Sequence, residues 1–212
     1  GTLAAAQLDA DPDDELVIAG LGTLVAMDLD GTALWSVTTG PSFGGNLLVP
    51  GDVDSDGVAD VLAGDHLAVP HGAVRLLSGA VGRLVWSDVY AYGVPAYDTA
   101  YSTLRYGVGL AALDDRTGDG APELVASGPQ DGTFFVGTEA GAVRVLDGAT
   151  GGVRVDLREQ NQAMRSLHFG AVVASVADVD GDGHRELVVS APYAPDAAGG
   201  PLAGDVAVLS CP

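Results

Sequence analysis

The stretch Ala177-Asp-Val-Asp-Gly-Asp-Gly-His-Arg-Glu-Leu-Val-Val-Ser-Ala-Pro192 decides the fold, because the chain repeats it. Its core, Asp-x-Asp-x-Asp-Gly-x-x-Asp/Glu followed by an apolar run, begins at position 178, and copies aligned without gaps begin at 7, 52 and 115. The last two intervals are both 63 residues and the first is 45. An aromatic-Gly pair keeps the same 63-residue step, at Phe43-Gly44, Tyr106-Gly107 and Phe169-Gly170. Such self-similarity is the signature of a repeat architecture.

A second shared element follows each acidic turn. It is a short apolar or alternating run, typical of a strand rather than a helix. The four runs open at Gly22, Gly72, Gly141 and Gly204. Three of them continue through a turn into another short strand, near residues 34–37, 84–86 and 153–157. Each repeat is therefore a meander of four strands, and four-stranded units recurring at this period predict an all-β fold of β-propeller blades.

Composition agrees with strands joined by tight turns. The 212 residues include 31 Gly, 24 Asp against 5 Glu, and nine Arg without any Lys; Asp favours turns, whereas Glu and Lys favour helices. The formal net charge of -20 argues against nucleic acid as a partner, because phosphates would be repelled. No apolar run approaches the roughly 18 residues of a membrane span.

The combined motif, most complete from Phe169 to Pro192, resembles the FG-GAP repeats of integrin α-subunit propellers and of many bacterial surface proteins. The resemblance implies a seven-bladed propeller with calcium in the loops between the first and second strands of several blades. About four antiparallel blades are expected in this chain, over residues 1–38, 42–88, 105–157 and 167–212, the first and last incomplete. We therefore expect part of a larger propeller, or one that a partner chain completes; a closed four-bladed ring is the alternative.

The acidic turns predict metal sites. In the second copy, carboxylates at positions 1, 3, 5 and 9 of one tight turn can face a common centre, and Gly57 permits the chain reversal. A hard cation with six or more oxygen ligands fits this pattern, while the absence of His and Cys side-chain ligands argues against zinc. We predict calcium, two to four ions in all. The ligands expected in this copy are Asp52, Asp54, Asp56, the Val58 carbonyl and Asp60.

The other copies vary this ligand set. The fourth copy is equivalent, with Asp178, Asp180, Asp182, the His184 carbonyl and Glu186. The third is expected to bind more weakly because Thr117 replaces a carboxylate; it offers Asp115, Thr117, Asp119, the Ala121 carbonyl and Glu123. In the first, Gln7 and Pro12 replace the first carboxylate and the glycine, leaving Asp9, Asp11, the Asp13 carbonyl and Glu15. The alternative is that these are Asp-rich turns that bind no ion, and this alternative is strongest for the first copy.

A partner surface is expected in the long connection from Asp88 to Arg105, which holds four of the six tyrosines: Tyr90, Tyr92, Tyr97 and Tyr101. Tyrosine combines flat apolar area with a hydroxyl group and suits contacts with protein or carbohydrate. The resemblance to integrin propellers implies that this face binds ligand. The alternative is that the tyrosines only cover the edges of the blades.

These patterns predict a non-catalytic, calcium-stabilised extracellular propeller for adhesion or for recognition of a protein or glycan. Extracellular fluid supplies the millimolar calcium that weak loop sites need. Segments 25–35 and 145–151 also resemble the blades of quinoprotein dehydrogenases, so a propeller enzyme is one alternative, and a polysaccharide lyase is another. A third is a purely structural segment of a surface assembly whose unpaired strands join neighbouring segments.

Overall fold

The computed structural model describes residues 1–9, 11–38, 40, 43–68, 71–90, 105–129, 141–158, 168–195 and 203–210. These residues contain fifteen β-strands and no helix. The strands form three four-stranded sheets and one three-stranded sheet, each antiparallel and each built from consecutive strands. The predicted all-β fold of about four meander blades is confirmed, and the sheets are called blades 1 to 4 in chain order. No helix in the described part of the chain has the length and apolarity to cross a membrane.

The strand bounds are as follows. Blade 1 comprises β1 (Thr2–Ala6), β2 (Glu15–Gly20), β3 (Thr23–Met27) and β4 (Ala33–Thr38). Blade 2 comprises β5 (Phe43–Gly51), β6 (Asp60–Asp65), β7 (Ala73–Leu77) and β8 (Leu84–Val89). Blade 3 comprises β9 (Gly109–Ala112), β10 (Leu124–Gly128), β11 (Ala142–Leu146) and β12 (Val153–Arg158). Blade 4 comprises β13 (Val173–Val176), β14 (Glu186–Ala191) and β15 (Asp205–Leu209).

The hydrophobic core lies between the blades. One buried cluster joins blade 1 to blade 2 and includes Leu8 and Leu77, and a second joins blade 2 to blade 3 and includes Leu62 and Leu124. A third joins blade 3 to blade 4 through residues such as Val143 with Leu187 and Val189. Strands β6 and β10 are buried along their whole length because both faces of their blades are covered, which explains the apolar runs 61–64 and 124–126.

Tryptophan side chains fix the first two interfaces between blades. Trp35 Nε1 donates a hydrogen bond to the carbonyl of Gly79 at 2.6 Å, and Trp86 Nε1 makes the same contact with Gly148 at 2.7 Å. Each indole also packs on a glycine of the next blade, where an added Cβ would come within 2.7 Å of the ring. In blade 3 the matching position of the fourth strand is Val155, so the interface with blade 4 lacks this contact.

The first strands of the blades, β1, β5, β9 and β13, contact one another in chain order. Every acidic turn connects the first strand of its blade to the second, so all four turns lie at the same end of the stacked blades. The turn between the third and fourth strands emerges at that end too, since successive strands are antiparallel. Residues of the turn between the third and fourth strands can therefore reach the acidic turn of their own blade.

Candidate metal centre

The four acidic turns, residues 7–15, 52–60, 115–123 and 178–186, are called turns 1 to 4, with positions numbered from 1 to 9. Position 9 of each turn is a carboxylate that is at most 3% exposed: Glu15, Asp60, Glu123 and Glu186. One of its oxygens accepts a hydrogen bond from the backbone N–H of position 2; the donors are Leu8, Val53, Arg116 and Val179. This buried clamp ties the start of each turn to the second strand.

A second clamp shapes turns 2, 3 and 4. The aspartate at position 1 accepts a hydrogen bond from the N–H of the glycine at position 6, over 2.8 to 2.9 Å. These glycines, Gly57, Gly120 and Gly183, have φ between +92° and +93°. A residue with a Cβ is strained in this region, and glycine is not. The sequence motif therefore encodes the shape of the turn before any ion is considered.

Turn 4 brings its acidic residues together. Carboxylate oxygens of Asp178, Asp180, Asp182 and Glu186 all lie within 4.8 Å of one another. Among the residues that the structure describes, Glu186 Oε1 is buried and has no hydrogen-bond partner. Leaving a buried acceptor unpaired costs about 1–3 kcal/mol, and clustered carboxylates repel one another. A cation among these oxygens would relieve both costs, and an all-oxygen, flexible ligand set is what Ca²⁺ prefers.

Turn 2 gathers three carboxylates, Asp52, Asp54 and Asp60, with the same 4.8 Å separation limit. Asp54 Oδ1 is buried and unpaired within the described part of the chain. Burial raises the pKa of Asp60 above its ordinary value. Asp56 does not join the group. Its Oδ1 accepts the Val58 N–H at 2.9 Å and its Oδ2 lies 3.3 Å from Ser78 Oγ, contacts that Asp182 also makes within the group of turn 4.

Turn 3 has the same backbone but does not gather its carboxylates. The described residues include no such group at Asp115, Asp119 and Glu123. Thr117, at position 3, donates its hydroxyl to Asp115 Oδ1 at 3.2 Å. Hydrogen bonds from the turn, that of the Gly120 N–H foremost, lower the pKa of Asp115. Local donors therefore satisfy the first carboxylate of turn 3.

Turn 1 gathers Asp9 and Asp11 with Asp28, which lies outside the motif. Asp28 directly follows β3, at the start of the turn between the third and fourth strands. Sequence reasoning missed it. The place directly after the third strand is polar in every blade, with Ser78, Asp147 and Ser210 in blades 2, 3 and 4, and this was the available signal. The carboxylate of Glu15, at position 9, is buried and lies outside this group.

Turns 3 and 4 are also clasped to each other across the interface between blades 3 and 4. Arg116 Nη2 donates to the carbonyl of Arg185 at 2.7 Å, and the Arg185 N–H donates to Asp114 Oδ2 at 2.7 Å. The pKa of Asp182 is lowered, mainly by the hydrogen bond from the His184 N–H and to a lesser degree by the charge of Arg116. A fixed positive charge thus stands near the acidic group of turn 4.

The structure places Tyr90 in the core and not on a partner surface. Its side chain is fully buried between blades 2 and 3, with the guanidinium carbon of Arg144 4.2 Å from the ring centre. Arg144 in turn forms ion pairs with Asp88 at 3.0 Å and Asp156 at 3.3 Å. At the interface between blades 2 and 3, the ring of Tyr90 therefore packs against the buried guanidinium of Arg144. The remaining tyrosines of the expected surface, Tyr92, Tyr97 and Tyr101, lie outside the described residues.

Known proteins share the repeat motif of this chain. Residues 169–209 match the family model of the FG-GAP repeat. The chain is similar to integrin alpha-E of Mus musculus, with 31% identity over 166 residues, and to integrin alpha pat-2 of Caenorhabditis briggsae, with 30% identity over 163 residues. These alignments cover 70% and 69% of the chain but only 13% of each relative. The resemblance to FG-GAP repeats and to integrin α-subunits is confirmed.

Solved structures confirm the architecture. The rhamnogalacturonan lyase PL11 of Bacillus licheniformis superposes with a TM-score of 0.57 and 17% identity, covering 87% of this chain and 38% of the lyase. The exotype rhamnogalacturonan lyase YesX gives a TM-score of 0.55 and 18% identity, covering 94% of this chain and 40% of the lyase. At this identity the similarity concerns the fold.

Proposed function

Because the chain carries an FG-GAP repeat and resembles integrin α-subunits, we propose that it is a calcium-binding, non-catalytic module of an extracellular β-propeller, used in adhesion or recognition. The observation that carries the proposal is the unpaired, buried oxygen of Glu186 within the group of four carboxylates in turn 4. A buried carboxylate oxygen without a partner is unfavourable, and a bound divalent cation provides the partner.

The proposed order of affinity follows the carboxylate groups. Turn 4, with four grouped carboxylates, binds most tightly, and turn 2, with three, comes next. Turn 3 is the weakest of these three, since Thr117 ties up Asp115. The carbonyls of Val58, Ala121 and His184 at position 7 complete the ligand sets. Calcium has a structural role here: it ties the turn to the buried clamp at position 9 and holds the first two strands of the blade together.

The proposed location is the cell surface or the extracellular space, where calcium is abundant enough for loop sites of this kind. The proposed partner is a protein or a glycan that binds the loops at one end of the blades, since rigid repeat scaffolds commonly carry function on their loops. A completing chain or a neighbouring propeller segment is a further partner. The four blades are then part of a larger propeller of the seven-bladed type.

A polysaccharide lyase is the second candidate, favoured by the similarity in fold to two rhamnogalacturonan lyases. The two candidates differ in a simple assay. A lyase releases unsaturated sugar ends from rhamnogalacturonan, which ultraviolet absorbance detects, and the recognition module does not. Release that grows with protein concentration would favour the lyase and contradict the non-catalytic proposal.

The calcium part of the proposal is tested by thermal unfolding of the 212-residue chain in calcium, in magnesium and in a chelator. A ligand that binds only the folded state stabilises it by about 2.7 kcal/mol at 100 times its dissociation constant. We expect the midpoint of unfolding to rise by several degrees in calcium and less in magnesium, since Mg²⁺ requires a stricter geometry. Identical midpoints in calcium and chelator would refute calcium binding.

A further inference from the structure

A groove follows the first strands of blades 2, 3 and 4, and it is called the inner groove. Two cavities of about 420 and 290 Å³ lie along it, and both are lined by Leu110 of β9 and Val173 of β13. The larger one reaches Asp114, next to turn 3, and the smaller one reaches Asn46 and Val108. Ligand sites commonly have volumes of roughly 300–1,000 Å³, so the inner groove is large enough to hold a ligand.

The edge of β9 presents unpaired backbone groups to the inner groove. β9 is the edge strand of blade 3. The Leu113 N–H donates to the carbonyl of Glu123 at 2.8 Å, and the next pair is Ala112 with Leu124. Hydrogen-bonded and non-hydrogen-bonded pairs alternate in an antiparallel ladder. Leu110 and Ala112 therefore direct their N–H and C=O groups away from the ladder, and both residues line the larger cavity.

The edge of β13 repeats this arrangement in blade 4. The Ser190 N–H donates to the Val172 carbonyl at 3.0 Å, and the pairing continues from there without a shift in register. The same alternation leaves Val173 and Ser175 with backbone groups directed away from the ladder. Both residues line the larger cavity. The described ranges of the chain contain no hydrogen-bond partner for the groove-side groups of β9 and β13.

One side chain already bonds to this edge from within the groove. The amide of Asn46, on β5, donates to the carbonyl of Val108, two residues before Leu110. A backbone acceptor on the inner edge is therefore accessible to a donor in the groove. The free groups recur at every second residue, a spacing of roughly 6.6 Å, which is the backbone repeat of an extended peptide. Addition of a peptide strand to a free edge uses such groups.

Charge distinguishes the two ends of the inner groove. Asp114 lines the larger cavity and directly precedes turn 3, and turns 2 and 4 lie at the same end of the blades. The guanidinium of Arg185 at this opening is paired with Asp114 over 3.6 Å. The carboxylates of the three turns give the opening a negative potential, which attracts a cationic segment. Small side chains, those of Ala112 and Ala174, leave space for a second backbone to approach the edges.

We propose that the inner groove binds an extended peptide segment, which adds as a strand to the free edge of β9 and directs cationic side chains toward Asp114. The inference goes beyond the proposed function, which assigns partner binding to loops at one end of the blades. It rests on the proposed role in recognition but not on calcium binding. Backbone hydrogen bonds supply the contact, and the acidic opening sets the direction of the peptide.

The test measures fluorescence anisotropy of a dye-labelled, capped peptide of two lysines followed by three valine-threonine pairs, titrated with the 212-residue chain in calcium. We expect saturable binding that weakens as salt is added. Ala112→Pro removes a groove-side N–H, and an edge strand tolerates proline where the N–H faces away from the ladder. Affinity should fall about tenfold, because an acceptor of the peptide is left unpaired.

Ser87→Pro is the matched control, on the outer edge of blade 2. The Tyr90 N–H donates to the Gly72 carbonyl at 3.1 Å, so the alternation also directs the N–H of Ser87 away from its ladder. Ser87 is exposed and belongs to the strand at the opposite edge from β5. This variant should bind the peptide as the wild type does.

A second measurement needs no variant. Residue-resolved amide hydrogen exchange of the wild type should show the N–H groups of Leu110 and Ala112 exchanging about tenfold more slowly once the peptide is bound. The N–H of Ala111, which already belongs to the ladder, should keep its rate. This pattern identifies the edge of β9 even if Ala112→Pro does not fold.

The outcomes separate this inference from the proposed function. Absence of saturable binding, or unchanged exchange at Leu110 and Ala112 in the saturated complex, overturns the inner groove as a peptide site. Protection of these amides by a linear oligosaccharide and not by the peptide overturns the assignment to a peptide. Either result leaves the proposed function standing if calcium still stabilises the chain. Sugar-releasing activity in a chain that binds the peptide in the groove supports this inference and overturns the non-catalytic proposal.

Discussion

Turns 3 and 4 share a backbone and differ in chemistry. Gly120 and Gly183 have the same φ of +92°, and each donates to the aspartate at position 1 over 2.8 Å. Yet turn 4 groups four carboxylates, whereas the described residues of turn 3 contain no such group. The ligand side chains differ only at position 3, which is Asp180 in turn 4 and Thr117 in turn 3. The glycine and the first aspartate therefore set the shape of the turn, and position 3 decides whether a charge cluster forms.

The largest effect is expected from Glu186→Gln. This substitution keeps an oxygen for the Val179 N–H but replaces the unpaired carboxylate oxygen with an amide, which removes a charged ligand. Because ligand charge tunes calcium affinity over orders of magnitude, the affinity of turn 4 should fall about 100-fold in calorimetric titration. Glu123→Gln, at the same buried position of turn 3, is the matched control and should change total binding far less. Equal losses in both variants would contradict the distinction between the turns.

A gain of binding is expected from Thr117→Asp. It gives turn 3 the carboxylate that turn 4 has at position 3 and removes the hydroxyl that donates to Asp115. Calcium affinity at turn 3 should rise roughly 10-fold, since one formal charge is added to the ligand set. The reverse change, Asp180→Thr, should weaken turn 4 by a similar factor. Unchanged titrations for both would show that position 3 does not control the site.

The shared backbone is tested by Gly120→Ala and Gly183→Ala. An added Cβ has no atom within 4 Å at either glycine, so the cost comes from the positive φ alone. Each variant should lose roughly 1–2 kcal/mol of unfolding free energy in chelator, and the two losses should be equal. Denaturant titration measures them. A large loss at one turn with none at the other would refute the common scaffold.

The smallest effect is expected from Arg116→Gln. The guanidinium lies near Asp182 and holds the Arg185 carbonyl at 2.7 Å, and its positive charge opposes a cation in turn 4. Removing a half-buried charge at this range changes an interaction by less than about 1 kcal/mol, so calcium should bind turn 4 about two-fold more tightly at low salt. Salt should reduce the difference. Weaker binding would show that the clasp acts through position and not through charge.

The sequence was sufficient for the fold because the motif fixes local geometry that repeats. Copies 2 to 4 each carry a glycine with positive φ in the turn, and all four copies carry a buried carboxylate at position 9, so four blades follow from four copies. The motif likewise predicts the four carboxylates of turn 4, and the structure brings their oxygens within 4.8 Å of one another.

Contacts between distant segments were not predictable in this way. Asp28 reaches turn 1 only because two turns emerge at the same end of the blade. Tyr90 is buried because Arg144, which belongs to the next blade, stacks on its ring. In each case the deciding partner comes from packing between strands or blades, which the period of the motif does not specify.

We propose that a calcium ion binds among Asp178, Asp180, Asp182 and Glu186. The most direct measurement is an anomalous difference map from crystals of the chain grown in calcium. We expect the strongest peak at turn 4, about 2.3–2.6 Å from oxygens of these residues, a weaker one at turn 2, and the weakest at turn 3. A map with no peak at turn 4, and with Glu186 Oε1 still unpaired, would contradict it.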